Sequence, residues 1–171
     1  SFRETVKRHC GNEIYQRACT SFYDTSSLND ALLAVKANEH EQAVTAMHDV
    51  TEGGVLGAIY ELCAASKTGA IIYNELLPVS EVQQKVCEVF ALDSRRCVGA
   101  GAMLVCCKKQ YAELIIQHLQ SENVECTEVG VLAEAKQGVI LIEDGAAKSL
   151  HYQSEDPYWA AFSKAYREEW K

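Results

Sequence analysis

The chain has 171 residues, of which 48% are apolar and 23% are charged. This composition is close to the globular average and excludes disordered and fibrous proteins, while the length predicts one domain that needs no disulfide or metal support. The net charge of −8 without a basic cluster excludes a nucleic-acid binder, and no apolar run approaches the roughly 20 residues of a membrane span.

Hydrophobic periodicity and capping residues predict alternating helices and strands. In chain order, the predicted elements are a helix over 2–19, a helix from Leu28, a strand over 43–47, a helix from Val55, a strand over 70–73, a helix opened by Ser80, a strand over 102–107, a helix over 111–119, strands over 124–132 and 139–142, and a helical tail. The tail's stripe Trp159, Phe162 and Tyr166 is interpreted as docking on the core rather than as a ligand cage, and in an excised piece it could instead face a domain that this chain lacks. This order predicts an α/β (α+β) sandwich with helices packed on a mixed sheet.

The eight cysteines are interpreted as free thiols in a reducing cytoplasm. There is no Cys-x-x-Cys pair, and Cys63, Cys106 and Cys107 lie in apolar stretches, where a thiol behaves as a small hydrophobe. The cysteine count alone leaves a thiol-based redox or metal protein as an alternative.

The turn between the strand at 43–47 and the next helix carries the residues most indicative of chemistry. Asp49 and Thr51 precede Gly53 and Gly54, which open the helix. Unpaired amides and glycines at a helix start can hold a phosphate or carboxylate, and Asp49 can orient an amine or hydroxyl or share a metal. The structural alternative is that the glycines only permit close packing and that Thr51 is a helix cap. The charge of Glu52 disfavours an anion.

The run His48-Asp49-Val50-Thr51-Glu52-Gly53-Gly54-Val55 resembles the Asp-x-Thr-x-Gly-Gly segment of the aminoimidazole ribonucleotide (AIR) synthetase superfamily. Further matches follow in the family's order, at Leu77-Pro78-Val79, Phe90-Ala91-Leu92-Asp93, Gly99-Ala100-Gly101-Ala102-Met103-Leu104 and Val129-Gly130-Val131-Leu132. The series covers residues 24–150. It corresponds to the C-terminal domain of the family and is most similar to the hydrogenase-maturation, HypE-like members.

The resemblance implies a PurM-type C-terminal sandwich, partly ferredoxin-like in order, that closes over a site in an N-terminal domain binding ATP and Mg²⁺. Phosphoryl transfer would activate an amide or acid oxygen. Asp49 is the implied catalytic residue. The implied nucleotide- or substrate-binding residues are Thr51, Gly53, Gly54, Gly99 and Gly101.

On this interpretation, residues 1–40 are a helical segment leading from a missing ATP-binding domain, 41–153 form the AIR synthase-related domain, and 154–171 are a helical tail. Because the chain begins with Ser1, we expect a piece of a longer protein that is inactive alone and binds no cofactor by itself. The resemblance also implies a homodimer when full length and a maturation partner protein.

Two departures from the family's dehydratase pattern predict a different acceptor for the activated group. Val50 and Glu52 replace the usual proline and arginine, and the last cysteine, Cys126, lies well inside the domain. A stand-alone module that binds a small anion without catalysis stays open as the alternative. Arg95 and Arg96 either offer guanidinium groups to a phosphate or belong to a capped, solvated turn.

Overall fold

The computed structural model describes residues 2–38 and 41–171, so that Ser1, Glu39 and His40 of the predicted segment 1–40 lie outside the described residues. The helices and strands of the described part are α1 (Arg3–Thr20), α2 (Leu28–Lys36), β1 (Val44–Asp49), α3 (Gly54–Ser66), β2 (Thr68–Tyr73), α4 (Glu81–Val89), β3 (Met103–Cys107), α5 (Ala112–Ser121), β4 (Gly130–Glu134), β5 (Val139–Glu143), β6 (Ala146–Ser149) and α6 (Pro157–Arg167). None of these helices is both long enough and apolar enough to cross a membrane.

The strands form two sheets, and the predicted mixed α/β architecture is confirmed. β1 pairs antiparallel with β3, which sets Asp49 opposite Met103. The second sheet has the order β4-β2-β5-β6, in which β2 runs parallel to β5 and antiparallel to β4, and β6 completes a hairpin with β5.

Two strands differ from the sequence prediction. The strand predicted over 124–132 begins only at Gly130, and β6 is not predicted at all. All four residues of β6 are exposed, so the segment has none of the apolar alternation by which a half-buried strand is recognised. It forms because the preceding turn returns the chain along the edge of β5.

Helix α3 lies between the two sheets and carries the main core. Its buried face, with Leu56 and Ile59, packs against Ala70 of β2 and Leu141 of β5. A second cluster joins α2 and α5 to the β1–β3 ladder. Since α3 starts directly after β1, its first turn is held rigidly at the end of that ladder.

The two ends of the chain pack together on α4. The Phe2 ring lies 5.8 Å from the Phe90 ring and 5.5 Å from the Phe162 ring, between ring centroids. The predicted stripe of α6 is wrong in part: Phe162 docks, but Trp159 and Tyr166 are 54% and 72% exposed. Their spacing is helical, yet the buried face of α6 runs through Ala165 instead.

Candidate nucleotide and substrate site

The turn between β1 and α3 is held by backbone hydrogen bonds to the segment before β3. The Thr51 carbonyl accepts the amides of both Gly54, at 3.2 Å, and Gly99, at 3.0 Å. The Val50 amide donates to the Ala102 carbonyl at 2.9 Å. These bonds bring four of the six predicted site residues, Thr51, Gly53, Gly54 and Gly99, into one corner, and Asp49 precedes it as the last residue of β1.

Two of the predicted glycines are required by close backbone packing. Gly54 has φ +63°, and a Cβ there would lie 2.5 Å from the Arg95 carbonyl oxygen and 2.8 Å from that of Cys97. Gly101 has φ +82°, and a Cβ there would overlap the Asp24 carbonyl. At these two positions, close packing by itself explains why the residue is glycine, and no bound ligand is needed to explain it.

Three of the amides at the start of α3, those of Gly53, Gly54 and Leu56, already have acceptors within the protein. The Gly53 amide donates to the Asp156 carboxylate at 2.7 Å, and the Leu56 amide donates to the Arg95 carbonyl at 3.1 Å. Asp156 is only 7% exposed and also accepts the Tyr158 amide at 2.8 Å, as the cap of α6. The protein's own carboxylate therefore occupies the anion position that the sequence suggested for a ligand.

Sequence reasoning missed Asp156 as a site residue. The pair Asp156-Pro157 is a recognisable helix start, since proline is favoured at the first helical position. Its second partner, Gly53, is 103 residues away in the chain, and no local pattern indicates that contact.

A cavity of about 380 Å³ opens beside the turn. Its described lining residues are Thr51, Glu52, Gly53, Glu61, Tyr152, Gln153, Ser154 and Asp156. They include three carboxylates and no lysine or arginine, so this wall by itself suits a cation, an amine or a hydroxyl better than an uncompensated phosphate. The Tyr152 ring packs on the Tyr60 ring, with 5.3 Å between centroids, and the Glu52 carboxylate accepts the Trp159 indole N–H at 3.3 Å.

A histidine connects Asp49 with the wall of this cavity. The His48 ring places Nε2 3.0 Å from the Glu61 carboxylate and Nδ1 3.5 Å from that of Asp49. The Asp49 side chain is 65% exposed, whereas that of His48 is 28% exposed. Although His48 belongs to the motif quoted above, the sequence alone assigned it no role, because Glu61 reaches it only through the packing of α3 on β1.

Residues 22–143 match a protein family described as "AIR synthase related protein, C-terminal domain". The chain belongs to this family. The predicted resemblance is thereby confirmed, including its placement near HypE, by the following relatives.

A hydrogenase expression/formation protein of Methanocaldococcus jannaschii is 28% identical over 102 residues, covering 57% of this chain and 30% of that protein. Carbamoyl dehydratase HypE of Escherichia coli is 28% identical over 95 residues, covering 54% of this chain and 28% of that protein. The chain thus spans about 30% of the length of these curated relatives.

Solved structures of HypE share the fold. The crystal structure of E. coli HypE is 26% identical with a TM-score of 0.66, covering 78% of this chain and 41% of that chain. A HypE–HypF complex is 26% identical with a TM-score of 0.57, covering 71% of this chain and 40% of that chain. A HypE in complex with ATP is 19% identical with a TM-score of 0.63, covering 78% of this chain and 42% of that chain, and shows the fold alone.

The described residues of the AIR synthase-related domain do not form a complete metal site. Within residues 2–38 and 41–171, no group of three or more His, Cys, Asp or Glu side chains is placed to hold a metal. Mg²⁺ bound with nucleotides needs only one or two protein carboxylates, since phosphate oxygens and water complete its shell. Glu52 and Glu61 fit that reduced role, and the acidic lining suits a metal–nucleotide complex better than the nucleotide alone.

Arg95, in the domain's 93–96 turn, is held by the protein's own side chains and is not free to bind a phosphate, whereas Arg96 only places its Nε 3.9 Å from the Asp93 carboxylate. The Arg95 guanidinium donates to both oxygens of Asp93, at 2.9 and 2.8 Å, and to Glu143 at 2.7 Å. It also donates to the Asn74 side chain. This pairing lowers the pKa of Asp93, mainly through the hydrogen bond from Arg95. The group lies beside a second cavity of about 510 Å³.

Proposed function

We propose that the chain is the C-terminal domain of an ATP-dependent, HypE-like enzyme and forms one wall of its nucleotide and substrate cleft. The observation that carries this proposal is the cavity of about 380 Å³ that opens against Thr51, Glu52 and Gly53 in a member of this family. ATP with Mg²⁺ would supply the phosphoryl group that turns an amide or acid oxygen into a leaving group.

The chain's own contribution is to orient the group that reacts. Asp49 stands exposed at the end of β1 and would accept a hydrogen bond from a substrate amine or hydroxyl. His48, held between Asp49 and Glu61, fixes the direction of that carboxylate. The Thr51 carbonyl holds the turn rigid through its two amide donors, so that Thr51 lines the cleft from a fixed position.

The charge of the wall supports a division of labour between domains. The described lining of the cavity brings carboxylates and no lysine or arginine to the site, so the charge of ATP must be balanced by Mg²⁺ and by groups from another domain. We therefore propose that the chain is inactive alone, that the longer protein is a dimer, and that it meets a maturation partner, as HypE does in its complex with HypF. The same charge disfavours the alternative of a stand-alone anion-binding module.

The test is Mg²⁺-dependent ATP hydrolysis by this chain and by the longer protein that contains it. We expect no turnover from the chain alone, and a kcat at least tenfold lower for Asp49→Asn in the longer protein, because the neutral amide cannot accept the same charge-assisted hydrogen bond. Glu113→Gln, on the exposed side of α5, is the matched control and should leave kcat unchanged. Hydrolysis by the isolated chain at the rate of the longer protein would refute the division of labour.

A further inference from the structure

Two buried thiols meet next to the start of α3. The sulfur atoms of Cys87, in α4, and Cys97, in the loop before β3, lie 3.4 Å apart. Their residues are 8% and 4% exposed. A disulfide requires about 2.05 Å between the sulfurs, a difference that small side-chain rotations can close. None of the eight cysteines, all of which lie in the described part of the chain, is oxidised in the structure.

We propose that Cys87 and Cys97 form a disulfide in which a hydroperoxide is the oxidant and a dithiol, itself oxidised to a disulfide, is the reductant that restores the two thiols. This site is independent of the proposed function, since it uses neither the carboxylates nor the cavity beside Thr51. From the sequence, a redox role rests on the cysteine count alone, since the chain has no Cys-x-x-Cys pair. The two thiols are ten positions apart and meet only through the fold.

The environment distinguishes the roles of the two sulfurs. The hydrogen bond from Cys87 lowers the pKa of the Cys97 thiol, and that same contact, with burial, raises the pKa of Cys87. Asp93 and Asp156 lie near enough to oppose the ionisation of both thiols. Cys97 is consequently the sulfur that reacts first, because the thiolate is the nucleophile in thiol oxidation.

The chemistry balances with one peroxide for each disulfide. The Cys97 thiolate attacks one peroxide oxygen, the O–O bond breaks, and the departing oxygen takes up a proton to leave as water or an alcohol, with a sulfenic acid on Cys97. The Cys87 sulfur then attacks the sulfenic sulfur, so that the S–S bond forms, the S–O bond breaks, and a second water leaves with the thiol proton. Two thiols are oxidised and one hydroperoxide is reduced.

On one side, the pair lies close to the second cavity, of about 510 Å³. The Cys97 sulfur lies 4.0 Å from the carbonyl oxygen of Ser94, which lines that cavity. Neither Cys87 nor Cys97 is among the described lining residues, so a hydroperoxide in the cavity reaches Cys97 only past the Ser94 backbone. The bridge would tie α4 to this loop, whose Arg95 and Cys97 carbonyls pack against Gly54.

The experiment is oxidation of the whole chain with hydrogen peroxide, followed by alkylation under denaturing conditions and non-reducing peptide mapping. Trypsin cuts after Lys85, Arg95 and Lys108, so the bridge would join peptide 86–95 to the peptide that contains Cys97. We expect this linked pair, a mass loss of about 2 Da that dithiothreitol reverses, and a melting temperature about 5–10 °C higher, since the bridge closes a short loop of the unfolded chain. Fragment ions must assign the bridge to Cys97 and not to Cys106 or Cys107.

The controls separate this pair from general thiol oxidation. Cys97→Ser should remove the linked peptides, while Cys126→Ser should leave them unchanged. In the unmodified chain, exposed Cys19 reports that the oxidant has reacted. If Cys19 is oxidised while Cys87 and Cys97 are still recovered as free thiols, or if either is bridged to another cysteine, the proposal is overturned without reliance on any variant.

Discussion

At the scale of single residues, the corner at 51–54 is shaped by how closely two backbones approach. Gly54 combines a positive φ with carbonyl oxygens of Arg95 and Cys97 on the side where a Cβ would stand. Gly145, in the β5–β6 turn, has φ +74° with no atom within 4 Å of such a Cβ. A side chain at either position would meet the cost of a left-handed backbone, but only a side chain at Gly54 would also overlap neighbouring backbone atoms. Comparing substitutions at the two positions therefore measures the cost of overlap.

Replacing Gly54 by alanine should destabilise the protein more than replacing Gly145. The left-handed conformation costs roughly 1–2 kcal/mol at either position, and overlap with fixed backbone adds about 1–3 kcal/mol at Gly54 alone. The free energies of unfolding in urea for Gly54→Ala and Gly145→Ala measure the difference. Equal losses would mean that the 95–97 segment yields freely, contrary to its hydrogen bond with Leu56.

At the scale of elements, one carboxylate joins the starts of two helices. Asp156 caps α6 through the Tyr158 amide and closes the first turn of α3 through the Gly53 amide. Ser80 caps α4 through the Gln83 amide alone, at 3.1 Å. The predicted capping of α4 by Ser80 is confirmed, and it provides an ordinary cap for comparison.

Asp156→Ala should lower the free energy of unfolding by about 2–4 kcal/mol, whereas Ser80→Ala should lower it by about 1 kcal/mol. The larger loss is expected because two amides lose their acceptor and the Gly53 amide lies beside a largely buried group. Urea unfolding measures both variants. Asp156→Asn should fall between them, since asparagine has one acceptor oxygen and keeps only one of the two hydrogen bonds, which the Gly53 and Tyr158 amides make to different carboxylate oxygens. A loss no greater than that of Ser80→Ala would show that the contact with Gly53 contributes nothing.

At the scale of the whole molecule, Arg95 connects three distant parts of the chain. Its guanidinium holds Asp93 in its own turn, Asn74 after β2 and Glu143 at the end of β5, while its carbonyl accepts the Leu56 amide of α3. Arg95 and its partners therefore connect the second sheet with α3, the helix at whose start the candidate site lies.

This network predicts a loss of stability in acid. The pKa of Asp93 is lowered below its ordinary value, about 3.9, so its stabilisation is present above that value and is lost as the pH falls through the lowered pKa. The gap in unfolding free energy between the native chain and Asp93→Asn should be up to about 1 kcal/mol at pH 7, in the range of partly exposed ion pairs, and should close towards pH 2–3.

Urea midpoints across that pH range measure the gap. Glu88→Gln, which removes an exposed carboxylate beside the same cavity, is the control and should leave a small gap that changes little with pH. An Asp93→Asn gap that stays constant between pH 7 and pH 3 would contradict the assignment.

Local chemistry determined much of this protein from the sequence alone. The alternation of helices and strands, the cap at Ser80 and the turn from Asp49 to Gly54 all depend on residues close together in the chain, where periodicity and turn preferences operate. For the same reason the family resemblance could be read from short motifs in order. The edge strand β6 was not predicted, because its exposed residues have none of the apolar alternation that indicates a strand.

Only the tertiary structure decided which groups meet. The acceptor of the Gly53 amide, the partners of Arg95 and the contact between the Cys87 and Cys97 sulfurs join segments from different elements. A carboxylate, a guanidinium or a thiol has the same local pattern whatever it faces, because its partner is selected by the packing of helices on sheets. Consequently the sequence indicated a corner suited to an anion, while the fold supplied that anion from the protein's own Asp156.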